Sequence, residues 1–177
     1  MIDIWLVIGY SLIIILLCII VVGTSAVWPS LIGAPYVPTS KGTAQKMLEL
    51  AQVDSNDTVA DLGSGDGRII MMAAERFGAR AFGIEADPLR VLWSRIAIRR
   101  RGLSNKVEVI WGNFFHKSLA DATVVTVYQG QEINNRLKDK FILELKPGTR
   151  VVSYSFPFND WTPVATMENP RLWMYVV

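Results

Sequence analysis

Hydrophobic and polar positions divide the chain into two unlike parts. From Ile4 to Gly23 no residue is charged, and a run rich in Ile, Leu and Val is interrupted by Gly9, Tyr10 and Ser11. Twenty residues in a helix span about 30 Å, one bilayer core, so the run predicts a transmembrane helix. Trp5 and Trp28 would stand about 35 Å apart on it, near the two headgroup layers where indoles collect. The rival reading is a cleaved signal peptide, for which Thr24-Ser25-Ala26 imitates a cleavage site; Met1-Ile2-Asp3 lacks the positive start that such a peptide wants. The first basic residues after the run are Lys41 and Lys46 and none precedes it, which places the body on the cytoplasmic side of the membrane. An anchor over residues 1–27 is therefore expected. A stiff linker over 28–40 follows, where Pro29, Pro35 and Pro38 argue against a continuous helix. A single domain over 41–177 completes the chain.

Within the body the period alternates between that of strands and that of helices. A helix is expected over Lys41 to Gln52, with Met47, Leu48 and Ala51 on one side. Thr58 to Leu62 reads as a strand, Gly63 to Gly67 as a tight turn, and Arg68 to Phe77 as a helix carrying Ile69, Ile70, Ala73 and Ala74. Ala81 to Ile84 makes a second strand. Pro88 suits the first turn of a helix whose apolar positions are Leu89, Leu92, Trp93 and Ile96 and which stops at Gly102. Strands follow at Lys106–Ile110, Thr123–Tyr128 and Arg150–Tyr154. Between the last two, Ile133, Leu137, Phe141 and Leu145 fall four apart as a helical stripe. Phe156 to Pro163 leaves no room for a helix, and Val164–Met167 with Leu172–Val177 reads as a β-hairpin. Strand and helix alternating at this pace predict an α/β fold with a doubly wound, mostly parallel sheet, closed by an antiparallel hairpin and preceded by one transmembrane helix.

Charge and composition then narrow the chemistry. The first 40 residues hold one charged side chain, Asp3, while the remainder carries all 18 Lys and Arg and 15 of the 16 acids. That remainder is long enough to bury a core without disulfides. Cys18 is the only cysteine and lies in the apolar run, and His116 is the only histidine. A structural disulfide, a zinc knuckle and a Cys nucleophile drop out, no metal is expected, and His116 with Lys117 reads as loop surface. Arg95, Arg99, Arg100 and Arg101 are the densest charge. They read as a solvated helix end that complements the macrodipole, with contact to anionic headgroups as the sharper alternative.

The sharpest signal is Asp61-Leu62-Gly63-Ser64-Gly65-Asp66-Gly67-Arg68 between a strand and a helix. Glycines there let the backbone turn tightly and let a ligand approach the peptide groups. Glu85 ends the next strand 22 residues after Gly63, where an acid can accept both ribose hydroxyls of a nucleoside ligand. Arg68 occupies the place of the third glycine of dinucleotide sites, and no Gly-Lys-Ser or Gly-Lys-Thr follows, so ATP cradling is unsupported. The bland alternative is an ordinary strand-to-helix turn.

Asp-x-Gly-x-Gly-x-Gly on the first strand, with an acid ending the second, resembles the class I S-adenosylmethionine-dependent methyltransferases. The resemblance implies that Asp61, Gly63, Ser64, Gly65 and Gly67 surround the methionine part of S-adenosylmethionine and that Glu85 holds its ribose. It also implies that Asn113 and Phe114, after the third strand, lie near the adenine. Pro35-Tyr36-Val37-Pro38-Thr39, Glu144-Leu145 and Ser155-Phe156-Pro157-Phe158 with Trp161 are similar to one lysine-methylating family, which includes the enzymes that methylate the ATP synthase c subunit and the adenine nucleotide translocase. By that likeness Pro38 and Thr39 cover the cofactor and Trp161 lies by the substrate channel.

Methyl transfer to an amine asks the protein to align an uncharged nitrogen with an electrophilic carbon, with no covalent enzyme residue. Tyr128, Gln129 and nearby carbonyls, at the end of the fourth strand, are candidates for orienting a lysine amine. Routine burial is their bland alternative. The Asp/Asn-Pro-Pro-Tyr tetrad of adenine and glutamine methyltransferases is absent there, where the sequence reads Val127-Tyr128-Gln129-Gly130; nucleic acid is therefore not an expected partner. The expected partners are a protein with an accessible lysine, itself a candidate membrane protein, and the bilayer through the N-terminal helix. Two further readings stay open: a methyltransferase of a lipid or small apolar molecule, and a cofactor-binding module without catalysis.

Overall fold

The computed structural model describes the backbone of residues 4–32 and 37–177, and side chains throughout these except at 21, 22 and 24–32. Its elements in chain order are α1 (Ile4–Ile32), α2 (Lys41–Leu50), β1 (Thr58–Leu62), α3 (Arg68–Phe77), β2 (Arg80–Glu85), α4 (Pro88–Arg100) and β3 (Val107–Trp111). A 3₁₀ turn at Phe114–His116 leads to β4 (Val124–Val127), α5 (Gln131–Glu144), β5 (Arg150–Tyr154), β6 (Ala165–Met167) and β7 (Leu172–Val176).

The membrane span expected from the sequence is corrected here. Among the described residues no helix is long and apolar enough to cross a membrane. The bilayer is accordingly not retained as a partner through α1. The helix also continues past Pro29 to Ile32, where a break was expected. Pro35 and Tyr36 of the proline-rich segment, and the indole of Trp28, lie outside the described residues.

In the body the expected alternation is realised. One seven-stranded sheet has the order β3-β2-β1-β4-β5-β7-β6. Strands β3, β2, β1, β4 and β5 are parallel, and the closing hairpin joins antiparallel, β7 on β5 and β6 on β7. Successive strand residues face opposite layers. Val59, Ala81, Val124 and Val152 therefore pack with Met47, Ile70 and Val91 of α2, α3 and α4. On the other face Ala60, Ile84, Val125 and Val151 pack with Leu137 and Phe141 of α5. The strands reverse order between β1 and β4, and this switch point is where doubly wound sheets open a crevice at their carboxyl ends.

Helix α4 departs from the expected face. Leu89, Leu92, Trp93 and Ile96 are exposed, whereas Val91, Ser94 and Ile98 are buried. The reason is close approach. Ser94 Oγ donates to the Gly65 carbonyl at 2.9 Å, and a Cβ added to Gly67 would stand 3.4 Å from Ser94 Cβ. Only a small residue fits where α4 crosses the glycine turn, so the face bearing Ser94 turns inward.

Candidate cofactor and active site

The turn after β1 is shaped by backbone that only glycine adopts readily: φ is +78° at Gly63, +56° at Gly65 and +77° at Gly67. Gly63 and Ser64 both donate their N–H to the Ile84 carbonyl, at 2.9 and 3.1 Å. The Gly65 N–H donates to Glu85 Oε2 at 2.7 Å, and Glu85 Oε1 accepts the Asp87 N–H at 2.9 Å. The two motifs read separately from the sequence, glycine turn and acid, are thus joined directly. Each Glu85 oxygen uses one acceptor site here and keeps another for a ligand hydroxyl.

Asp61 is buried at the end of β1 and accepts the Thr126 hydroxyl at 2.7 Å. Burial pushes its carboxyl up to about 7, against the pull of the Thr126 bond and with the charges of Glu85 and Asp66 adding to the rise. A carboxyl in this state favours a cationic neighbour. Asp66 behaves oppositely: burial would raise it, but the Arg68 guanidinium and N–H hold it below the ordinary range. Arg68 meets Asp66 Oδ2 at 2.6 Å through Nη2 and donates from Nη1 to the Thr39 carbonyl at 2.6 Å. It thereby ties the segment before α2 to the glycine turn. Thr39 is buried beneath that contact and Pro38 is exposed.

Other candidates are placed as follows. Asn113 caps the 3₁₀ turn, its Oδ1 accepting the Phe115 N–H at 2.9 Å, and Phe114 is buried in the α5-side core. Tyr128 packs on Tyr154, with ring centroids 4.4 Å apart, at the ends of neighbouring strands β4 and β5. Gln129 is buried and donates from Nε2 to the Leu62 carbonyl at 2.9 Å. Its amide also stands 2.6 Å from where a Gly63 Cβ would lie, so Gln129 buttresses the glycine turn. Trp161 packs on Tyr175 and Phe158 at centroid distances of 4.9 and 5.4 Å. The Phe156–Trp161 segment is strapped down around it. Asn134 donates to the Phe156 carbonyl at 2.8 Å, Gln131 to that of Pro157 at 2.7 Å, and Tyr175 Oη accepts the Phe158 N–H at 3.0 Å.

Two further residues border these elements, and only the structure shows what they do. Ser155 follows β5 with φ +66° and donates its N–H to the Arg171 carbonyl at 3.0 Å; a non-glycine residue in this region is the sort of strain found at functional sites. Gly83, inside β2, lies under Ser64: an added Cβ would stand 2.4 Å from Ser64 Oγ. A glycine interrupting a strand pattern was the available signal, since it marks close backbone approach. Gly83→Ala is expected to cost about 1–3 kcal/mol by overpacking and to weaken cofactor binding by displacing the turn. Ser64→Gly in the same chain should restore most of both losses. Thermal melts and cofactor titration of the single and double variants check this, and an unaffected single variant would contradict the packing argument.

The cradle fits a nucleoside that carries positive charge: bare glycine backbone over the carboxyl ends of β1 and β2, a carboxylate with spare acceptor sites, and a buried acid that gains from a cation. Known proteins point the same way. Residues 61–165 match the family described as the ANTKMT methyltransferase domain. A protein-lysine N-methyltransferase of Saccharolobus islandicus (strain REY15A) is 39% identical over 150 residues, covering 81% of this chain and 93% of that protein. The adenine nucleotide translocase lysine N-methyltransferase of Mus musculus is 37% identical, covering 84% of this chain and 66% of its own length. The crystal structure of an RNA methyltransferase from Salinibacter ruber in complex with S-adenosyl-L-homocysteine superposes with a TM-score of 0.77 at 40% identity, over 80% of this chain and 94% of that one. The alternating sheet, the glycine turn bonded to its acid and these likenesses agree, and the chain belongs to the ANTKMT methyltransferase domain family, as a methyltransferase dependent on S-adenosylmethionine.

Proposed function

We propose that the chain methylates the side-chain amine of a lysine in a protein. The observation that carries this reading is the 39% identity, over nearly the whole length of the relative, to a protein-lysine N-methyltransferase. The lack of the Asp/Asn-Pro-Pro-Tyr tetrad at Val127–Gly130 agrees with it. A narrower form, in which the acceptor is a membrane protein, is supported by the likeness to the adenine nucleotide translocase lysine N-methyltransferase of Mus musculus.

In this reading Asp61, Gly63, Ser64, Gly65 and Gly67 hold the methionine part of the cofactor. Glu85 takes the ribose, Asn113 and Phe114 border the adenine, and Pro38 and Thr39 cover the cofactor. Bound there, S-adenosylmethionine would supply an electrophilic methyl group for an amine nucleophile. The chain's own task is to present a neutral amine in line. Tyr128, braced by Tyr154, orients it from the end of β4, and the closed Phe156–Trp161 segment keeps water from the approach. A lysine amine is ordinarily charged near neutrality, so transfer at saturating cofactor is expected to rise with pH, about tenfold per unit between pH 7 and 9. Tyr128→Phe should keep cofactor affinity and lower the transfer rate about tenfold, the value of one hydrogen bond.

The solved Salinibacter ruber structure, described as an RNA methyltransferase, favours a second reading, in which the acceptor is RNA. Incubation of the full chain with methyl-tritiated S-adenosylmethionine and a cell extract, divided into membrane and soluble fractions, separates the two. Label that resists ribonuclease, yields to protease and elutes as methyl-lysine supports the protein acceptor. Label lost to ribonuclease replaces it with RNA, and the fraction that carries protein label tests the narrower form.

A further inference from the structure

The apolar side chains of α4 do not all face inward. Leu92 and Trp93 are 57% and 66% exposed, with Leu89 and Ile96 also open. At 100° per residue these four fall within an arc of about 100° on the side opposite Val91, Ser94 and Ile98. Trp111 on the edge strand β3 is 60% exposed, and its indole N–H is bonded to the Ala86 carbonyl just before α4. The helix is thus apolar on two faces, only one of which the fold covers.

Charge frames this outer face. Helix α4 contains four arginines and no acid. Arg90 pairs with Asp87 at 3.3 Å, and Arg95 donates to the Val109 carbonyl at 2.8 Å. Arg99 and Arg100 are exposed and, among the described residues, make no ion pair. Arg100 lies within the apolar arc, one turn beyond Ile96, and Arg99 flanks it. Arg101, next in the chain, is held by Glu75 at 3.1 Å.

We infer that the outer face of α4, with Trp111, lies against an anionic lipid bilayer. Leucine and tryptophan side chains would enter the headgroup boundary while Arg99 and Arg100 meet lipid phosphates, as on amphipathic helices that rest in a membrane surface. Charge complementarity selects this occupant. In a symmetric contact with a second copy, α4 would bring no acid to meet the arginines. The face is also set apart from the proposed acceptor site, because β3 is the sheet edge and β4 and β5 lie on the far side of β1. The contact is a resting surface, separate from α1, and orients the crevice relative to the bilayer.

The test is partition of the full chain onto vesicles of phosphatidylcholine alone or with one-third phosphatidylglycerol, read by sedimentation at low and high salt. Because α1 is common to every variant, differences report on α4. The wild type should prefer anionic vesicles by about tenfold at low salt, a preference that high salt removes. Arg99→Glu with Arg100→Glu should abolish it, and Leu92→Glu with Trp93→Glu should lower partition onto both vesicle types. Brominated lipid should quench the wild type more than Trp93→Phe. Retained S-adenosyl-L-homocysteine binding verifies that each variant is folded. Equal partition of wild type and both glutamate variants would overturn the inference. So would a concentration-dependent dimer that Leu92→Glu with Trp93→Glu dissolves, since the face would then belong to a second copy.

Discussion

Glu85→Ala is expected to lower affinity for S-adenosyl-L-homocysteine by a hundredfold or more and to lower the melting temperature as well. The carboxylate accepts the N–H of Gly65 at 2.7 Å and of Asp87 at 2.9 Å. Its removal takes the carboxylate acceptor away from two buried donors, at about 1–3 kcal/mol each. One of these donors shapes the glycine turn, and the other precedes α4, where Asp87 caps the helix through the Leu89 N–H. Loss of the proposed ribose contact adds to this. Titration of wild type and variant with the ligand and with its 2′-deoxy analogue separates the contributions. If Glu85 holds the ribose, the analogue binds the wild type more weakly than the natural ligand, and the variant does not discriminate. A Glu85→Ala chain that binds both ligands as the wild type does would remove Glu85 from the site.

Asp61→Asn is expected to stabilise the fold at pH 8 while it abolishes most cofactor binding. The Asp61 carboxyl titrates at about 7 in the folded chain, against 3.8 for an unperturbed aspartate. Between these values the folded state holds a proton that the unfolded state has released. Stability contributed by this group is therefore present below about pH 4 and is lost as pH rises through 7. The difference corresponds to about 4 kcal/mol. Asparagine keeps an acceptor for the Thr126 hydroxyl and carries no buried charge, so the variant should melt several degrees higher at pH 8 and equally at pH 4. Binding runs the other way. A cationic cofactor selects the ionised carboxyl, so wild-type affinity should rise roughly eightfold from pH 6 to 7.5 and release a proton, and the variant should show neither effect. Melts and calorimetry in buffers of different ionisation enthalpy read both. A pH-independent wild-type affinity would mean that Asp61 does not face the cofactor's charge.

Much of the fold and part of the site were legible in the chain because their causes are local. A glycine at alternate positions after a short apolar strand permits left-handed backbone at Gly63, Gly65 and Gly67, whatever surrounds them. Pro88 and the Asp87 cap start α4 from within its own first turn. The acid at the end of β2 was legible by spacing alone, and the change between periods near 2 and 3.6 marked each element of the body.

What needed the tertiary structure depends on groups far apart in sequence. Gly83 is a glycine because Ser64 rests on it, and Gln129 spends its amide on Leu62 rather than standing open. Trp161 is drawn into the cluster of Phe158 and Tyr175 by bonds from α5. On α4 two apolar faces compete for the core. Hydrophobicity favours the one bearing Leu92 and Trp93, and the structure buries the one bearing Ser94 because α4 must pass within contact distance of the glycine turn. Periodicity along a chain reports which residues share a face. Which face is buried depends on the space left by the neighbouring element, and only the folded chain defines that space.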